Sequence, residues 1–133
     1  VPASDFDCWV IEPTRKIVRE IKAKHPNVPI IGFAKSAGAN LISYANKTGI
    51  DAVGIDMMTP IVWARDNLNN SVLQGNLDPI VLASDKKAAV KETTAILEAM
   101  RGKPFIFNLG HGIVPHTPLE NVEAVAKTIR AFI

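Results

Sequence analysis

Gly110-His111-Gly112 sets an imidazole between two residues without side chains, just after the apolar run Pro104-Phe105-Ile106-Phe107. An imidazole changes charge near neutral pH, so at such a position it can bind a carboxylate or move a proton. The glycines leave it unshielded and let a ligand approach the backbone closely. The plainer reading is a loop histidine bonded to a neighbouring carbonyl. Three other polar segments follow short apolar runs in the same way: Ala34-Lys35-Ser36-Ala37-Gly38, Asp56-Met57-Met58-Thr59 and Asn76-Leu77-Asp78-Pro79. Asp78, before a proline, reads as a helix cap. Asp56 either faces a cleft or accepts hydrogen bonds from turn amides. Lys35 could attract an anion but reads first as a solvated loop lysine. Ser36 to Asn40 offers only Gly38 where a phosphate-binding loop needs more glycine and a following lysine and hydroxyl.

The remaining chemistry-bearing residues do not cluster. His25 and His116 flank prolines without a second metal ligand at useful spacing. Asp5 and Asp7, two apart, fall on different sides of a helix. Trp9, Trp63 and Met57-Met58 read as packing residues.

The elements that must position these loops follow from the apolar pattern. Phe6, Trp9, Val10, Ile17, Val18 and Ile21 lie near one helical face, with a break and restart at Pro13. Pro29-Ile30-Ile31-Gly32-Phe33 reads as a buried strand, and a helix presenting Leu41, Tyr44, Ala45 and Thr48 follows, closed by Gly49. Ala52-Val53-Gly54-Ile55 is a second strand, with Thr59-Pro60 as N-cap and first turn of a helix to about Leu68. Val72-Leu73-Gln74-Gly75 is a third, followed by the Asp78-Pro79 cap signal and a helix over about 86–100 with Val90, Thr93, Leu97 and Met100 along one stripe. The fourth strand, 104–107, leads to Thr117-Pro118-Leu119-Glu120, which has the form of a capping box. Val122, Val125, Ala126, Ile129 and Phe132 give the last helix its apolar face.

Four short apolar strands separated by helices predict parallel pairing through right-handed crossovers. Two α/β architectures fit: an open doubly wound sheet and a (β/α)8 barrel. Four βα units make about half of a barrel of the usual ~250 residues. In either case the strand-end loops gather at one rim, where α/β proteins place their sites.

Composition narrows the classes. The 133 residues, 47% hydrophobic and 21% charged, suit one globular unit or a piece of a larger one. A net charge of +2 with fifteen scattered Lys and Arg gives no footprint for nucleic acid. The one cysteine, Cys8, excludes an internal disulfide and a multi-cysteine metal site, and makes a reducing compartment the default. No apolar run approaches the ~18 residues of a membrane span. An opening Val1 in place of Met points to truncation or processing.

With those residues in view, the chain resembles the uroporphyrinogen decarboxylase family over essentially its whole length. The resemblance rests on Gly32-Phe33-Ala34-Lys35, Gly54-Ile55-Asp56, Gln74-Gly75-Asn76-Leu77-Asp78-Pro79 and Phe107-Asn108-Leu109-Gly110-His111-Gly112, in the family's order and at similar spacing. It implies a (β/α)8 TIM barrel, cytoplasmic and homodimeric, that uses no metal or organic cofactor. It also implies the reaction, removal of carbon dioxide from the four acetate side chains of uroporphyrinogen to give coproporphyrinogen in haem biosynthesis.

On this reading the chain is the carboxyl-terminal half of the barrel domain, residues 1–133 without an internal boundary, and is inactive alone. The family's arginine cluster, central aspartate and substrate tyrosine belong to the earlier half. Of its principal substrate-contacting residues only the histidine carries over, onto His111, for carboxylate binding and assistance in proton transfer; Phe33 lines the cleft. Two alternatives stand beside it. One is a related barrel of the cobalamin-linked methyltransferases, which hold zinc through histidine and cysteine. The other is a non-catalytic domain that associates with a partner through an uncovered half-barrel core.

Overall fold

The computed structural model describes residues 2–132. Each apolar run becomes a strand: β1 (Ile31–Phe33), β2 (Ala52–Gly54), β3 (Val72–Leu77) and β4 (Phe105–Leu109). All three pairings are parallel and the sheet order is β1-β2-β3-β4. Between and after the strands come α3 (Asn40–Thr48), α4 (Ile61–Asn67), α5 (Pro79–Ser84), α6 (Lys86–Ala99) and α7 (Leu119–Phe132). Before them lie α1 (Ala3–Phe6), a π-helical turn (Asp7–Ile11) and α2 (Glu12–Lys24).

The two faces of the sheet differ. Val53, Leu73 and Leu77 point to the helices and are at most 2% exposed. Val53 and Leu73 pack with Phe6, Ile11, Leu41, Tyr44, Ala64 and Leu68, and Leu77 packs with Leu82, Ala89, Ile96 and Val125. The registers Phe33↔Gly54, Gly54↔Gln74 and Gln74↔Ile106 put those residues together on the opposite face. There Ile31, Phe33 and Ile106 stay 47, 47 and 42% exposed, and no helix of the described residues covers them. A doubly wound sheet carries helices on both faces, whereas a barrel carries them outside only. Strands in sequential order with helices on one face are therefore the wall of a (β/α)8 barrel, and four units amount to half of one.

Several local expectations are corrected. Pro13 does not break the helix. It cannot donate to the carbonyl four residues back, and the backbone meets that defect with the π turn immediately before it. The wider turn shifts the buried stripe to Phe6, Ile11 and Val18, leaving Trp9 76% and Ile17 60% exposed, so Trp9 is not a packing residue. Thr59 does not cap α4, whose N-cap is Pro60. The capping box before α7 does not form either: the Thr117 hydroxyl donates back to the Val114 carbonyl at 2.8 Å, and Glu120 pairs with Lys86 at 2.6 Å. Asp78 does cap, accepting from Ile80 N at 2.7 Å, but the helix it starts is the short α5. Asp85 caps α6 separately, accepting from Ala88 N at 2.6 Å. Gly49 closes α3 in the left-handed conformation as the sequence predicts.

Two predictions follow from the helical layer and the floor of the sheet. Among the described residues the Thr93 hydroxyl is buried without a hydrogen-bond partner, so Thr93→Val, which keeps the shape and removes the polar atom, is expected to stabilise the chain by about 1 kcal/mol in urea unfolding. An unchanged or lowered stability would contradict the packing described. Below β2, Asp51 accepts from Lys22 Nζ and Ile30 N, both at 2.7 Å, and these bonds hold its carboxyl below its usual pKa, the lysine contributing most. A lowered folded-state pKa gives stability that is full above the unfolded value of about 3.9 and fades as pH falls through the folded one. The difference in urea midpoint between wild type and Asp51→Asn should be largest above about pH 5 and shrink toward acid.

Candidate active site

The loops at the carboxyl ends of the strands are tied together through Asp56, which is 3% exposed. Its Oδ2 accepts from the Ser36 amide at 2.6 Å, joining the loop after β1 to the loop after β2. Its Oδ1 accepts from Met58 N at 3.1 Å, Thr59 N at 3.1 Å and the Thr59 hydroxyl at 3.0 Å. The open question about Asp56 is thereby answered by the turn-amide reading. Ser36 is held at φ 57°, a conformation that costs a non-glycine residue about 1–2 kcal/mol. Donation to an ionised carboxylate offsets that cost.

The third and fourth loops join the same assembly. Asn76 on β3 donates from Nδ2 to the Asp56 carbonyl at 3.0 Å and to the Thr59 carbonyl at 2.7 Å. Gly110, just past β4, donates from its amide to the Leu77 carbonyl at 2.8 Å. Its α-carbon rests on the loop after β2, so a methyl group there would overlap the backbone nitrogen of Met57. His111 thus follows a residue fixed on two sides. Gly112 is different, since a methyl group there would meet nothing within 4 Å.

Beside this rim, on the bare face of the sheet, lies a cleft of about 500 Å³. Its walls include Ile31, Phe33, Gln74, Asn108, His111 and Ile113. The two residues singled out from the sequence, His111 and Phe33, are therefore brought to one cavity. Gly54 leaves room for the Phe33 ring, whose Cδ2 lies 2.9 Å from where a β-carbon would stand. The walls are apolar apart from two amides and one imidazole, and none carries a lysine or arginine. Away from the cleft, Glu98 and Glu120 are held below the usual carboxylate range by hydrogen bonds from Arg101 and Lys86.

Other candidates fall away from the cleft. Lys35, His25 and His116 are exposed and do not line it, and Asp78 serves α5. Met58 is 77% exposed, which overturns its packing reading, whereas Trp63 packs against the core. Among the described residues no group of three His, Cys, Asp or Glu could hold a metal ion. Sequence reasoning passed over Gln74; its signal is a polar residue inside the apolar run Val72-Leu73-Gln74, on the face opposite Leu73.

The cleft thus presents an apolar wall with one imidazole at its lip. The family model of uroporphyrinogen decarboxylase matches residues 1–132. A uroporphyrinogen decarboxylase from Wolbachia sp. subsp. Brugia malayi is 52% identical over 126 residues, 95% of this chain and 36% of that protein. Another, from Novosphingobium aromaticivorans, is 45% identical over 130 residues, 97% of this chain and 38% of the relative. The chain therefore spans little more than a third of the length of the relatives it matches. A solved methyltransferase from Methanosarcina mazei superposes with a TM-score of 0.81 over 99% of this chain and 38% of its own. At 18% identity that likeness speaks for the fold alone.

The unequal glycines give a paired test. Gly110→Ala is expected to lower stability in urea unfolding by about 1–3 kcal/mol, because backbone and not a flexible side chain must move. Gly112→Ala should stay within about 0.5 kcal/mol of wild type. Equal effects would contradict the contact between Gly110 and the loop after β2.

Proposed function

The chain belongs to the uroporphyrinogen decarboxylase family, and on that premise we propose that its cleft is one wall of a tetrapyrrole-binding decarboxylase site. The observation that carries the reading is that His111 and Phe33 line a single apolar cleft at the carboxyl ends of the strands. The substrate is uroporphyrinogen, a flexible polyanion, and the product is coproporphyrinogen. An acetate on an electron-rich pyrrole loses carbon dioxide once the ring is protonated at carbon. The electrons of the breaking carbon–carbon bond flow into the cationic ring, the exocyclic carbon left behind takes up a proton in place of the carboxylate, and the ring carbon gives its added proton back. One proton is consumed per carbon dioxide released, and no metal or organic cofactor is required.

Within that chemistry Phe33 packs against a pyrrole face, while His111 binds a carboxylate and assists proton transfer at the cleft lip. The cations needed to hold a polyanion come from parts of the barrel outside these four βα units, as the uncharged cleft walls require. The complete protein, a cytoplasmic homodimer without nucleic-acid partners on this reading, closes the barrel over Ile31, Phe33 and Ile106. No helix of the described residues is long and apolar enough to cross a membrane. The methyltransferase alternative loses ground because Cys8 is exposed on the π turn and no cysteine lines the cleft with His111.

Steady-state assays with uroporphyrinogen test the proposal. In the complete enzyme His111→Ala should lower turnover about 100-fold, the usual scale for a proton-transfer helper, with an unchanged far-ultraviolet circular dichroism spectrum. The 133-residue chain alone should give no measurable turnover. Undiminished activity in the variant would return His111 to an ordinary loop histidine, and substantial turnover by the chain alone would show that these units hold the whole site.

A further inference from the structure

Gln74 stands on the cleft wall with its side-chain amide unspent. It lies on β3, which is paired on both edges, so its position is fixed by ladders to β2 and β4. Its register neighbours are Gly54, which has no side chain, and Ile106, which is apolar. The Gln74 backbone carbonyl accepts from Ile55 N at 2.8 Å, yet among the described residues the amide group enters no hydrogen bond. Nearby amides behave otherwise. Asn76 spends Nδ2 on two carbonyls, and Asn108 accepts through Oδ1 from Leu109 N at 2.8 Å. The half-buried amide therefore keeps its donors and acceptor for whatever enters the cleft. The side that remains open is the cleft, shared with Phe33 and His111.

We propose that Gln74 is a substrate-binding residue whose Nε2 donates a hydrogen bond to one carboxylate of the tetrapyrrole. This rests on the decarboxylase reading and adds a contact to it. A neutral amide holds a carboxylate without balancing its charge, so the negative group that must leave as carbon dioxide is oriented but not over-stabilised in the ground state. The Phe33 ring, which fills the space over Gly54, supplies the apolar surface next to the amide.

The complete enzyme is assayed with uroporphyrinogen as wild type, Gln74→Ala and Gln74→Glu, with thermal unfolding measured on each. Loss of one hydrogen bond to a charged group should raise KM about 10-fold in Gln74→Ala, with kcat falling less. Gln74→Glu keeps the size and places a carboxylate against a carboxylate, so its KM should rise further while its unfolding midpoint stays near wild type. A merely structural glutamine would move the midpoint and leave KM alone. KM values within about twofold of wild type in both variants would overturn the assignment. If Gln74→Ala does not fold, the size-conserving glutamate variant decides. Wild-type protein that fails to turn over uroporphyrinogen would remove the underlying reading as well, whereas active wild type with indifferent variants removes Gln74 alone.

Discussion

Four donors converge on the carboxylate of Asp56, and the geometry of the whole rim depends on them. Burying an ionised carboxylate costs several kcal/mol unless its lone pairs are met, so the two loops must arrive together or not at all. Once they have, the Asp56 and Thr59 carbonyls are placed to receive Asn76, and Met57 is placed beneath Gly110. His111 thus follows a fixed residue and, among the described residues, enters no side-chain hydrogen bond. A backbone scaffold built from one side chain fixes the residue that precedes an imidazole two loops away.

The second constraint is the one-sidedness of the sheet. A parallel sheet needs cover on both faces, and here helices supply only one. The exposed Ile31, Phe33 and Ile106 are explained if the face curves toward a barrel interior, and the same face then opens into the cleft at its carboxyl end. Core and site are therefore continuous: strand residues pointing inward near the strand ends become the wall against which a ligand lies. That continuity links the family membership of the chain to its bare surface. The relatives are far longer than this stretch, and a barrel wall of four strands is what a third or more of such a protein would supply.

Most of the scaffold was legible from sequence because periodicity reports burial. All four strands fall on the apolar runs, Gly49 ends its helix, and His111 and Phe33 meet in one cleft. What was not legible turned on which of several nearby partners a polar group takes, on a local change of helix type, or on a contact between distant residues. Thr59 and Thr117 look like caps, but each hydroxyl finds a closer oxygen, on Asp56 and on the Val114 carbonyl. Trp9 fits an α-helical stripe until Pro13 imposes a π turn and rotates the stripe away from it. Gln74 was hidden by its neighbours, since an apolar run does not disclose which face of the strand is left uncovered. The role of Asp56 could not be chosen from its own loop, because one of its decisive donors, Ser36, is twenty residues earlier on another strand's loop.

The most direct test of the central claim is a crystal structure of the complete protein with coproporphyrinogen bound. The account predicts the tetrapyrrole against the inner face of the sheet, with Phe33 in van der Waals contact with a pyrrole ring and His111 within hydrogen-bonding distance of a carboxylate. A tetrapyrrole bound elsewhere, with both side chains still facing solvent, would contradict it.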